Sequence, residues 1–235
     1  MIASGSLALA VFPLGAAVVA TVFAWRLGAR FARRRRAFEG HWTVALAMFA
    51  VASAAMFLGV AGGWTAAEFR LYWLFGAVLN VPYLFLGELQ LLIRRRIVSV
   101  VGSLAIYALT AVAVVVIWRA PIHAEALTDR LPLGKDVFGA GTAPHRLAQY
   151  YAFPAYFLLL AGLVWSASQM RGDPELRDRT VGTLGIAVGA TLVAIGSGVG
   201  AAFHVVPLFS VSLAAGVVAM FAGFLRAGRP TRAPA

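Results

Sequence analysis

Seven times in 235 residues the chain runs for about twenty positions with almost no charge, and a spanning helix needs roughly 20 such residues. The runs lie near 3–25, 42–63, 71–92, 97–118, 147–168, 181–203 and 206–225. This pattern predicts one all-α integral membrane domain over 1–235, a bundle of seven transmembrane helices. The chain is 61% hydrophobic and 12% charged, with a mean hydropathy of +0.85, whereas a soluble domain has about a quarter of its residues charged.

A formal charge of +11 raises nucleic acid as a partner. The basic residues, however, alternate with apolar runs and leave no soluble basic domain to form a groove, so that class is set aside. The absence of cysteine removes disulfides, thiolate metal sites and thiol redox relays. The first run is expected to stay as an anchor, because its arginines follow the apolar stretch where a cleaved signal has positive charge before it.

Orientation follows from counting. Arg26, Arg30, Arg33, Arg34, Arg35, Arg36, Arg94, Arg95, Arg96, Arg171, Arg177, Arg179, Arg226, Arg229 and Arg232 flank one side, fifteen of the 20 basic residues. Arg70, Arg119, Arg130, Lys135 and Arg146 flank the other. The positive-inside rule makes the first set cytoplasmic and the N-terminus external, in a cytoplasmic membrane. The Arg33–Arg36 and Arg94–Arg96 runs therefore read as topology determinants, with a patch for anionic lipid at the inner face or for a partner as the alternative for Arg33–Arg36.

One outer connection is long. Residues 119–146 hold Pro121, Pro132, Gly134, Gly139, Gly141 and Pro144, a composition that interrupts regular structure, and long loops of this kind are often functional. His123, Glu125, Asp129 and His145 lie in it, and His204 is expected at the same side. Imidazole and carboxylate together suit a metal, a proton or a small cation, although the spacing is that of no zinc motif.

Within the spans, helix three is the most polar. Trp73, Gly76, Asn80, Tyr83, Gly87 and Gln90 recur at threes and fours, which predicts a shared face. Pro82 removes a backbone donor and loosens the turn at Val78. Glu88 is the only carboxylate inside a predicted span, and an intramembrane carboxylate costs about 2.5 to 3.5 kcal/mol at mid-bilayer on insertion scales. It stands six residues before Arg94, about 9 Å along a helix, so two readings arise: an interfacial ion pair with Arg94 or Arg95, or coupling to a proton or cation. Trp73, Asn80, Pro82, Tyr83, Glu88 and Gln90 form the candidate ligand or transport pathway. Helix six carries two small-xxx-small pairs, Gly185 with Gly189 and Gly196 with Gly200, which predict close helix packing within the bundle or at a dimer seam.

Phe12-Pro13 with Trp25, and Phe153-Pro154 with Trp165, hold similar places in helices one and five. That layout resembles the three-plus-one-plus-three plan of sugar-exporting and PQ-loop transporters, which implies parallel repeats joined by helix four and a substrate site between them. The resemblance is one of layout, since Pro13, Pro82, Pro154 and Pro207 precede Leu14, Tyr83, Ala155 and Leu208 rather than glutamine.

Other classes fall away. A retinal cofactor of the microbial rhodopsin kind needs a lysine in the last helix; the sole lysine, Lys135, is in the loop, and no cofactor is expected. The spans as predicted hold no aspartate, and no nucleotide or haem motif occurs, so an enzyme is not expected. The sequence reading is a small-solute carrier or channel with its site near helix three. The alternatives are a ligand-sensing or interaction module, with only about ten residues after the last helix for signalling, or an accessory subunit in a homodimer or larger membrane complex.

Overall fold

The computed structural model describes residues 4–93, 95–128, 131–200, 203 and 205–229, and these are helical without strands. Seven helices are long and apolar enough to cross a membrane: α1 (Ser4–Arg34), α2 (Ala37–Gly62), α3 (Ala66–Leu92), α4 (Arg96–Arg119), α5 (Ala143–Gln169), α6 (Pro174–Val199) and α7 (Val206–Ala227). This is the composition of a multi-pass membrane protein.

Several helices outrun their apolar stretches, because hydropathy measures the bilayer whereas a helix stops where its hydrogen bonds are capped. α1 continues through Arg26 and Arg30 to Arg34, and Arg35 then turns the chain with φ 52°. α3 begins at Ala66 instead of 71 because Thr65 and Glu68 form a capping box: Glu68 N–H donates to Thr65 Oγ1 (3.2 Å) and Thr65 N–H to Glu68 Oε2 (2.8 Å). α6 starts from Asp173, whose carboxylate accepts from Glu175 N–H at 2.8 Å, and its helical course runs on through the π-turn Gly196–Gly200. These extensions correct two expectations. Glu39 in α2 joins Glu88 as a carboxylate within a span, and Asp178 lies within α6.

Three helices form a chain of neighbours, α1–α2–α3, and three more, α5–α6–α7, with contacts α3–α5 and α7–α1 closing a ring. α4 stays outside the ring against α3 and is the least buried of the seven. Matched pairs set the directions. Phe23 with Phe221 and Arg30 with Phe224 make α1 and α7 parallel, whereas Gly28 against Thr43 and Gly40 against Phe31 make α1 and α2 antiparallel.

Two cores stack along the bundle. At the arginine-rich end, Phe23, Leu27, Leu46, Leu86, Leu163 and Phe224 pack together. At the other end, Val60, Phe69, Leu74, Ile117 and Phe209 meet buried residues of the long connection, Leu131, Val137 and Phe138. The connection is thus folded, against the sequence expectation, with short helical turns at Ala124–Thr128 and Gly134–Val137. Gly134 lies on the Trp73 ring, where a Cβ would overlap it; Phe138 packs 5.6 Å from Phe69 and 6.2 Å from Trp73, centroid to centroid. Arg70 holds the end of α4 through Ile117 and Ala120 carbonyls at 3.2 and 2.6 Å, so its charge meets the carbonyl end of that helix.

Candidate functional site

Pro82 cannot donate to the turn before it, and the helix answers by widening: Trp73–Leu79 is a π-helix, after which Asn80–Leu92 is α-helical again. The wider turn shifts the register, so the predicted single face divides. Trp73 turns to the folded connection and donates its indole N–H to Pro144 O at 3.1 Å. Gly76 sits against Ala52 of α2, and Gly87 against Trp42, whose indole N–H donates to Leu84 O at 3.0 Å. Helix packing thus accounts for this part of the face.

Below Asn80, which is buried, α3 carries polar groups on two sides. Toward α4, the Tyr83 hydroxyl lies 3.2 Å from Thr110 Oγ1, and Thr110 donates to Ile106 O at 2.7 Å. About two turns on, Gln90 meets His41 of α2. His41 Nδ1 lies 3.0 Å from Ala37 O and 2.9 Å from Gln90 Oε1, both acceptors, which places the proton on Nδ1 and leaves Nε2 to accept from the Tyr107 hydroxyl at 2.7 Å. Gln90 Nε2 donates onward to Ser103 Oγ at 3.3 Å. Three helices, α2, α3 and α4, are thereby tied by one polar chain that includes Gln90.

Toward α5 stands Glu88. It is 2% exposed, and its Oε1 has no hydrogen-bond partner among the described residues. It rests on Gly162, where a Cβ would lie 2.9 Å from Glu88 Cγ and 3.1 Å from Leu92 Cδ1; only glycine leaves the carboxyl this space. No ion pair with Arg95 forms, and Arg94 lies outside the described residues. Near the start of α5, at least ten residues before Gly162, a second π-helix, Ala148–Ala152, precedes Pro154 and touches the π-helix of α3. Its Tyr151 hydroxyl is buried, without a well-formed hydrogen bond, beside Tyr83 and Thr110. Such π-turns concentrate at functional sites. Tyr83, Thr110 and Tyr151 beside the two π-turns form one candidate position, next to Asn80 and Pro82, and Glu88 on Gly162, about eleven residues farther along α5, forms a second.

The sequence reading missed Glu39 and Tyr151. Glu39 is fully buried and pairs with Arg30, Nη2 to Oε1 at 3.2 Å, while the Arg30 guanidinium also lies 4.9 Å above the Phe224 ring. The signal was a lone glutamate between an arginine run and an apolar span. Tyr151 carried no such signal, since its neighbours Tyr83 and Thr110 come from α3 and α4.

The predicted polar cluster at the loop end does not assemble among the described residues. His123 and Glu125 pair at 3.4 Å with both side chains exposed, and His145 Nδ1 accepts from Gly141 N–H at 3.2 Å within its own turn. Asp129 and His204 lie outside the described residues. Among those described, no three His, Asp or Glu side chains come together as metal ligands. Compared with protein-family models, curated proteins and solved structures, the chain matches none.

Proposed function

We propose that this chain is a non-enzymatic, cofactor-free carrier of a small solute in the cytoplasmic membrane, with its site at the α3–α5 contact. The observation that carries this reading is Glu88, a carboxyl group buried among helices with an oxygen that has no hydrogen-bond partner among the described residues. Such a group is costly in an apolar setting unless protonated or joined by a cation, and intramembrane carboxylates mark ion and proton pathways. The π-turns of α3 and α5, which touch each other farther along the bundle, are the places where these helices bend most cheaply. The ring order, with α4 outside two triplets, supports the repeat layout that such carriers use, although Pro13 is buried where Pro154 is exposed.

In this reading Glu88 takes and releases a proton or cation as solute crosses. Proteoliposomes loaded with a pH dye and offered potassium, glucose or alanine test it. Wild-type protein moves at least one of these with a rate that depends on the pH gradient, and Glu88→Gln abolishes that dependence. Unaltered, gradient-sensitive flux in Glu88→Gln refutes the coupling role. Absence of all fluxes, with a protein that co-purifies stoichiometrically, favours a sensing or accessory module. One observation favours that second reading: the folded connection, through Phe138 and Trp73, is packed directly onto the top of α3.

A further inference from the structure

A groove of about 290 Å³ opens between α1 and α7 at the arginine-rich end, lined by Trp25, Arg26, Arg30, Arg33, Phe224 and Leu225 among others. We infer that this groove binds the phosphate headgroup of an anionic phospholipid, a site independent of the carrier reading.

Charge is the first support. Glu39 balances Arg30, but Arg26 and Arg33 form no ion pair among the described residues, leaving two unopposed guanidinium groups at one opening. Arg30, held between Glu39 and the Phe224 ring, has its Nε buried without a hydrogen-bond partner. Guanidinium suits phosphate because its donors are arranged as a planar fork.

The surroundings choose a lipid over free phosphate. On α1 the exposed apolar residues Val11, Leu14, Val18, Val22 and Trp25 are spaced by threes and fours, so they form one stripe. On α7, Val211, Val218 and Leu225 repeat every seven residues and form another. Both stripes end in residues that line the groove, Trp25 and Leu225. Acyl chains lying along those stripes bring their phosphate to the arginines. Trp25, 77% exposed, has the amphipathic ring that settles at headgroup depth.

The test titrates delipidated full-length protein in detergent with phosphatidylglycerol or phosphatidylcholine of the same acyl composition, counting retained lipid by native mass spectrometry. Wild type retains phosphatidylglycerol selectively. At about 1 kcal/mol for each basic residue near a charged lipid surface, Arg26→Gln with Arg33→Gln weakens retention roughly 30-fold. Arg26→Lys with Arg33→Lys keeps it within a few-fold, and Arg95→Gln with Arg96→Gln, outside the groove, leaves it unchanged. Equal retention of both lipids by wild type overturns the proposal, and that measurement needs no variant to fold. An equal loss in the Arg95/Arg96 variant also overturns it, as does competition by glycerol phosphate at the concentrations where phosphatidylglycerol binds.

Discussion

Between α6 and α7 the backbones themselves touch: a Cβ on Gly182 would lie 2.5 Å from Gly223 O, and one on Gly189 2.5 Å from Gly216 O. α3 meets its neighbours differently, through His41, Gln90, Tyr107 and Thr110, and it leaves Glu88 and Tyr151 with unsatisfied oxygens. In lipid, apolar side chains gain little by meeting one another, so helices associate through close backbone approach or through hydrogen bonds. The α6–α7 seam uses the first means and has no slack, which makes the pair a rigid unit. The α3 contacts use the second and keep polar capacity in reserve, which is what a binding or coupling site requires.

The largest effect that could break this contrast belongs to the seam. Gly189→Val has nowhere to place its side chain and is expected to cost about 3 kcal/mol or more, read as loss of monodisperse protein and of its thermal transition in detergent. Gly15→Ala is its control, since a Cβ there meets nothing within 4 Å; it should leave stability equal or raise it by roughly 0.5 to 1 kcal/mol. A tolerated Gly189→Val would mean that the seam is loose.

On the α3 side, His41→Ala leaves Gln90 and Tyr107 without their partner and is expected to destabilise by about 1 to 3 kcal/mol, measured by the same thermal transition. Restoration by His41→Gln, which can still bond both, would sharpen the assignment. Gly162→Ala should cost about 1 to 2 kcal/mol as Glu88 and Leu92 give way, and it should lower flux more than it lowers stability. Equal effects on both would reduce Gly162 to a packing residue. The smallest effect is Arg226→Ala: its 3.0 Å pair with Asp178 joins α6 to α7, but both side chains are more than two-fifths exposed, so less than about 1 kcal/mol is expected. A larger loss would show that the seam depends on its charged end as well as on glycine.

The glycine motif shows how far pattern reading reaches. Gly185 and Gly189, four apart, were the expected contact pair, yet the tightest positions are Gly182, Gly189 and Gly196, seven apart, facing Gly223, Gly216 and Ser212. Gly185 is looser, with a Cβ 3.2 Å from Gly223 Cα, and Gly200 closes the π-turn Gly196–Gly200. Small residues every four and every seven positions both lie near one stripe of a helix, so spacing identified the helix and not the seam. The partner glycines on α7 were in plain view but had no meaning until that helix was placed.

Glu88 stood out from sequence because a carboxylate is rare within an apolar run, and the consequence of Pro82 was readable because a missing N–H must alter its turn. Trp73 shared its period with Asn80 and Tyr83 but stands at the start of the π-turn and meets the folded connection, whereas Gln90, in the same α-helical segment as Tyr83, stays with it on the side of α4. Helix ends at Ala66 and Pro174 escaped hydropathy because caps, not apolarity, set them.

Seven long apolar helices, their approximate positions and the asymmetry of arginine were determined by the sequence alone, since each is a sum over local residues that any bilayer-length segment obeys. Which helix stands outside the ring, which face of α3 meets α5, and that Glu88 rests unpartnered on Gly162 while Glu39 finds Arg30, were decided only by tertiary structure. Hydrophobic period tells a helix which side to bury, but in a ring every helix has two flanks, and only side-chain fit selects the neighbour on each.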